Sequence, residues 1–128
     1  MKRIRAVWGL RLSFVCNDFK KLKVWKEAFQ LVKQIYKNTS QFPDFEKYSL
    51  KSQINRASVS IVSNIAEGAV KNSKKDFKRF LFISLGSIAE LETQLLIAKD
   101  LGYNIDELLF VKLKKIENMV IGLIKSLY

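Results

Sequence analysis

Leu109, Leu113, Ile116, Val120, Leu123 and Leu127 follow one another at spacings of four, three, four, three and four residues. A helix of 3.6 residues per turn brings such positions onto one stripe, whereas a strand scatters them over both faces. Related patterns recur upstream. Trp25, Ala28, Val32 and Ile35 form a first stripe, widened by Val24, Phe29, Leu31 and Tyr36, with Lys26, Lys33, Gln34 and Lys37 opposite. Leu50, Ile54, Ala57 and Ile61 form a second, whose next seam position falls on Asn64. Phe77, Leu81, Ser84, Ile88, Leu91, Leu95 and Ala98 form a third. One proline and five glycines are too few turn residues for a many-stranded β fold. The class is all-α.

Local signals place the ends of these helices. The first runs from about Asp18 to Ser40 and stops before Phe42-Pro43, since the residue preceding proline avoids the helical region. Asp44 is the expected N-cap of the second helix and Gly68 its expected stop. Ser73-Lys74-Lys75-Asp76 opens the third as a capping box with Asp in place of the usual Glu or Gln, and Leu101-Gly102 ends it. Asn104-Ile105-Asp106-Glu107 caps the fourth. A chain of 128 residues is too short for two domains that each bury a real core. Four amphipathic helices on short connections therefore predict one antiparallel, up-down four-helix bundle. Phe82, Leu85, Ala89 and Leu96 flank the third stripe and make its apolar arc wider than one core needs. That excess predicts a homo-oligomer; the alternative is cover by the first helix or the N-terminal residues.

The domain occupies residues 19–128, and residues 1–18 stand apart. The stretch MKRIRAVWGLRLSFVCND starts basic and turns apolar from Ala6 to Cys16, but Arg11 interrupts it and no small-residue cleavage site follows. It reads either as a basic arm that orders on a partner or as an extension added by a misplaced start codon. No uninterrupted run reaches the ~18 apolar residues of a membrane span, so no membrane contact is expected. The single cysteine, Cys16, allows no internal disulfide and suits a reducing, cytoplasmic setting. Histidine is absent, which excludes Ser–His and Cys–His nucleophiles and the Glu-x-x-His metal motif of ferritin-like bundles. Glu67 with Glu90 or Glu92 is the carboxylate set left for acid–base or divalent-cation chemistry. Neither catalysis, nor a metal, nor a cofactor is expected.

Charge points to a partner. Lys and Arg number 23 against 12 acids, giving +11, a field that attracts polyanions. Its sharpest concentration is Lys71, Lys74, Lys75, Lys78 and Arg79, with Asp76 the one acid among them. Lysines in a helix's first turn oppose its dipole, so this cluster is not there to stabilise the helix, and a helix N-terminus adds donors for phosphate. The plain alternative is a solvated face. Lys112, Lys114 and Lys115 form a lesser patch, and Lys2, Arg3, Arg5 and Arg11 with Trp8 add charge and stacking surface in the N-terminal stretch. Gln53, Arg56, Ser60, Asn64 and Glu67, spaced 3, 4, 4 and 3, line one strip of the second helix. Ser84, Ser87, Glu90 and Gln94 form a comparable strip on the third. These strips either hold a ligand or make a buried network of Gln53, Ser60, Asn64, Glu67 and Glu90 that sets helix register. In the network reading Glu67 and Arg56 neutralise charges across helices, and Arg56 is also expected to join the 71–79 cations on nucleic acid. No RNA-recognition, KH or helix-turn-helix signature is present, so base-specific readout is not expected.

Particular residues also carry a resemblance. Phe19-x-x-Leu22-x-Val24-Trp25 with Ala28, then Phe42-Pro43, then Tyr48-x-Leu50-x-Ser52-Gln53-Ile54-x-Arg56-Ala57 occur in order. Ser60-Ile61-x-x-Asn64-Ile65-Ala66-Glu67-Gly68 is the most specific run, followed by Phe80-Leu81, Gly86-Ser87, Glu90-Leu91-Glu92-Thr93 and Leu101-Gly102-Tyr103. From Phe19 onward the chain resembles the bacterial four-helix bundle family named for proteins encoded in intervening sequences of 23S ribosomal RNA genes. Ala69-Val70-Lys71-Asn72 departs from that family's basic continuation. The resemblance implies a ring-shaped pentamer. It also implies kinship with accessory proteins of diversity-generating retroelements, which bind a reverse transcriptase and nucleic acid. Together these readings predict a non-enzymatic oligomeric module that binds RNA or DNA without reading sequence. The alternative is a scaffold that docks a nucleic-acid enzyme such as a reverse transcriptase.

Overall fold

A computed structural model describes residues 19–128; the reading of residues 1–18 as arm or extension lies outside them. Four helices follow in order, α1 Lys23–Thr39, α2 Leu50–Val70, α3 Lys74–Asp100 and α4 Leu108–Ser126, with 3₁₀ turns at Phe19–Lys21 and Asp44–Glu46. No strand occurs among the described residues. α1 packs on α2 and α4, and α3 packs on the same two helices, so the four enclose a single core. The α2–α3 contact is the most extensive.

All seven positions of the α3 stripe are buried, from Phe77 to Ala98. In α4, Leu109, Leu113, Ile116, Val120 and Leu127 are buried as spaced, and Ile124 takes the core place beside half-buried Leu123. α1 is rotated by one residue from expectation. Val24, Ala28, Leu31 and Ile35 form its seam, while Trp25 and Val32 are half-buried. The Trp25 indole is held at the rim by Phe29, stacked at 4.9 Å, and by Phe19, edge-on at 5.5 Å. In α2 the seam continues through Ile65, fully buried, and Asn64 sits beside it at the half-buried edge. A polar side chain at that seam position is thereby avoided.

Several boundaries differ from the sequence expectation for local reasons. Leu22 is extended (φ −68°, ψ 127°) and separates the Phe19–Lys21 turn from α1, so the first helix starts at Lys23 rather than Asp18. Asp44 opens a 3₁₀ turn instead of α2, whose first residue is Leu50. Gly68 does not stop α2, which continues to Val70. Its role is steric: a Cβ there would lie 2.7 Å from Phe80 Cβ and 3.0 Å from Phe77 Cδ1. The third helix begins as expected, with Ser73 Oγ accepting from the Asp76 N–H at 3.2 Å. It also ends as expected. Gly102 adopts φ 93°, its N–H donates to Lys99 O, and the Tyr103 N–H donates to Ala98 O, the paired bonds of a Schellman cap. Asp106 caps α4 by accepting from the Leu108 N–H at 3.0 Å.

Polar side chains pin the connections. Asn38 Nδ2 donates to Asn104 O at 2.9 Å and its Oδ1 accepts from the Asp106 N–H at 2.9 Å, tying the end of α1 to the approach to α4. Thr39 Oγ1 donates to Asn55 Oδ1 at 2.8 Å. Glu46 accepts from Ser49 Oγ at 2.6 Å, from the Leu50 N–H at 3.2 Å and from Tyr103 Oη at 2.5 Å. The Ser49 bond first, then Tyr103, holds the Glu46 carboxyl below its ordinary 4.5, and the same carboxylate raises the Tyr103 phenol above its ordinary 10.0. Tyr103 also packs on Phe42, ring centroids 4.8 Å apart.

α3 is apolar on two opposite sides. By length and composition it would suffice to cross a membrane, yet its Phe77–Ala98 stripe faces the other helices. The opposite side carries Phe82, Ile83, Leu96 and Ile97, exposed at 52%, 42%, 50% and 46%. Neither α1 nor any other described element covers it, so this part of the apolar arc is exposed among the described residues.

Candidate nucleic-acid interface

Lys71 lies just past α2, and Lys74, Lys75, Lys78 and Arg79 occupy the first two turns of α3. The tight connection Lys71–Ser73 is possible because Gly68 lets the end of α2 close onto Phe77 and Phe80. Phe80 is buried, and its ring is approached by Lys71 Nζ at 5.4 Å and Arg79 Cζ at 4.4 Å from the centroid. Lys78 Nζ sits 3.8 Å from the centroid of Tyr128, the last residue of the chain. Cation–π attraction thus orients three of the five cations while their charge stays in water. Asp76 pairs with Arg79 at 3.8 Å with both side chains about half exposed, a contact worth little in water. Among the described residues, Lys71, Lys74, Lys75 and Lys78 enter no ion pair. The result is a basic surface whose four lysines are uncompensated among the described residues.

Arg56 does not belong to it. It lies on α2 fifteen residues before Lys71, about 22 Å away at 1.5 Å rise per residue. There it shares an open groove with Tyr36, Tyr48, Lys47 and Lys51. The lesser patch is largely paired, Lys114 with Glu117 at 3.0 Å and Lys115 with Glu27 at 3.3 Å. Lys112 faces a cleft of about 540 Å³ between α1 and α4 with Gln34 and Lys37. Lys2, Arg3, Arg5, Trp8 and Arg11 lie outside the described residues.

The polar strips come together only in part. Ser60 Oγ and Ser87 Oγ are 2.7 Å apart across α2 and α3, and Asn64 Nδ2 donates to Ser60 O at 2.8 Å and Ser60 Oγ at 3.1 Å. Ser84 Oγ, fully buried, donates to Ile61 O at 3.0 Å. Gln53, Arg56, Glu67 and Glu90 are exposed, and among the described residues none of their side chains enters a hydrogen bond or ion pair. The expected neutralisation of charge by Glu67 and Arg56 therefore does not occur among the described residues. Both point outward because Ile65 and Ala57 hold the core positions next to them. Gln94 is buried, and its Oε1 has no partner among the described residues. No group of three Asp, Glu, Cys or His side chains gathers among the described residues.

Phe80, Tyr128, Tyr36 and Lys51 were not singled out from sequence as site residues. Phe80 adjoins the basic run in sequence, whereas Tyr128 reaches it only because the end of α4 meets the start of α3.

Fold and charge define a small, basic four-helix bundle. The chain belongs to the 23S rRNA-intervening sequence protein family, whose profile matches residues 20–126. Its fold is similar to that of a protein with unknown function from the S23 ribosomal protein family of Bacteroides thetaiotaomicron VPI-5482. The two share 24% sequence identity at a TM-score of 0.72, over 80% of this chain and 95% of the other. A comparison with curated proteins finds no match.

Proposed function

We propose that this protein is a non-enzymatic, cytoplasmic binding module that engages RNA or DNA through phosphates without reading sequence. Its helices run antiparallel, up and down, and several copies assemble into a ring, as a pentamer. One observation carries the reading: four lysines, Lys71, Lys74, Lys75 and Lys78, gather around the start of α3 without a carboxylate partner among the described residues. Arg79 adds a fifth charge that Asp76 offsets weakly. Copies arranged in a ring sum this field, and phosphate chains displace their own counterions to meet it. Antiparallel order is favoured by the pairing of Ser60 with Ser87, Ser84 with Ile61, and Gly68 with Phe77 and Phe80.

The test is binding of RNA and DNA across a salt series. Wild type is expected to bind in the micromolar range, with log affinity falling by about 0.9 per log salt for each duplex phosphate contacted. Reversing Lys71, Lys74, Lys75 and Lys78 to Glu weakens binding and flattens that slope. Unchanged binding would remove the assignment of these residues.

A protein-docking role is the second reading, favoured by the exposed Phe82, Ile83, Leu96 and Ile97. Capture of a protein partner that survives nuclease treatment, with no polynucleotide affinity, favours it over the first.

A further inference from the structure

Arg56, displaced from the lysine cluster, lies in a setting of its own. Tyr36 from α1, Lys47 and Tyr48 from the turn before α2, and Lys51 and Arg56 from the first turns of α2 line an open groove of about 520 Å³. Tyr48 is 86% exposed and Tyr36 47%, so both rings are accessible from solvent. Lys47 Nζ lies 5.4 Å over the Tyr48 ring, so charge and aromatic face are offered together. Among the described residues, no carboxylate lines the groove. The neighbouring Glu46 is buried and engaged by Ser49, the Leu50 N–H and Tyr103. Asn55 is held by Thr39 Oγ1, which fixes the groove wall between α1 and α2.

Cations beside accessible aromatic rings in an open channel are the chemistry that single-stranded nucleic acid requires. Bases stack on rings whatever their identity, and lysines and arginines follow the phosphates. A duplex hides its base faces and gains nothing from the rings. We infer that the Tyr36–Tyr48 groove binds unpaired nucleotides, stacking bases on the two tyrosines with phosphates on Lys47, Lys51 and Arg56. This inference rests on the nucleic-acid reading above and adds a second contact about 22 Å along α2 from the lysine cluster. The cluster takes any phosphate chain; the groove selects the single strand.

The experiment compares an oligothymidylate with a blunt duplex of the same length on the intact protein and its variants. Y48L and Y36L keep apolar bulk but lose the ring. Each is expected to weaken single-strand binding by roughly 5- to 150-fold, the range of one lost base stack, and to leave duplex binding unchanged. Y48F keeps the ring and retains affinity. K51Q and R56Q each lower the single-strand salt slope by about 0.7. Photocrosslinking of an oligonucleotide carrying 5-iodouracil is expected to mark Tyr48 or Tyr36. Wild-type single-strand affinity in Y48L and Y36L, with crosslinks confined to residues 71–79, overturns the groove while leaving the phosphate surface standing. A fall in assembled mass in Y48L makes the groove a contact between copies and overturns it too. Wild type that binds neither probe removes the underlying nucleic-acid reading itself.

Discussion

Gly68 is the residue at which the α2–α3 contact is tightest. Its missing side chain leaves room for Phe80 Cβ and Phe77 Cδ1, and neither is the far end of a flexible chain that can swing aside. G68A therefore forces the two helices apart and is expected to lower unfolding stability by about 1–3 kcal/mol, the usual range for overpacking. Gly122 is exposed on α4, and a methyl group added there would meet nothing within 4 Å. G122A is expected to raise stability by up to about 1 kcal/mol, because alanine is the better helix former. Denaturant unfolding of the two variants checks both signs. If G68A proves neutral, the close approach is not what selects glycine there. The same position also governs the basic surface, since a wider gap shifts Phe80 and loosens its hold on Lys71 and Arg79.

Between helices, the connection that holds Glu46 fixes how the end of α3 meets the start of α2. Ser49 and Tyr103 depress the Glu46 pKa, so its contribution to stability is fully present above pH 4.5 and is lost as pH falls through the lower folded value. Tyr103 is the reverse case. Its pKa is raised, so its contribution is complete below pH 10.0 and is lost as pH rises through the higher folded value. E46Q is expected to be less stable than wild type at neutral pH, with the gap closing as the solution is acidified below pH 4.5. Thermal melts of both proteins from acid to neutral pH measure this. A gap that stays constant across that range would mean that the carboxylate charge is not what Ser49 and Tyr103 recognise.

As a whole, the chain is a bundle with one finished core and one unfinished face. Phe82, Ile83, Leu96 and Ile97 point away from the core on α3. Removing a large apolar side chain from water is worth about 1.5–3 kcal/mol when burial is complete. Burial of two such residues would contribute about 3–6 kcal/mol to the proposed assembly through this face. The F82E/L96E double variant is expected to keep its helical content and to raise the dissociation constant of the assembly by at least about 100-fold. Native mass spectrometry with circular dichroism reads both quantities. A variant that assembles at wild-type concentrations assigns the interface elsewhere. In the proposed ring, separating the copies would also disperse the lysine clusters, so polynucleotide affinity should fall with mass.

Helix number, helix class and most of the buried residues were legible in the order of amino acids, because apolar spacing and caps are local and periodic. The α3 stripe and both of its ends illustrate this: Ser73 and Gly102 act through bonds to residues within five positions. The rotation of α1, the continuation of α2 past Gly68, and Ile65 in place of Asn64 depended on packing partners distant in the chain. So did the site. The lysine run was visible as a run, but Tyr128 beside Lys78, Lys71 over the Phe80 ring, and Tyr36 sharing a groove with Arg56 are meetings between elements that spacing along one helix does not encode. Local chemistry chose the helices; three-dimensional contact chose which of their charges stand alone and which stand beside an aromatic ring.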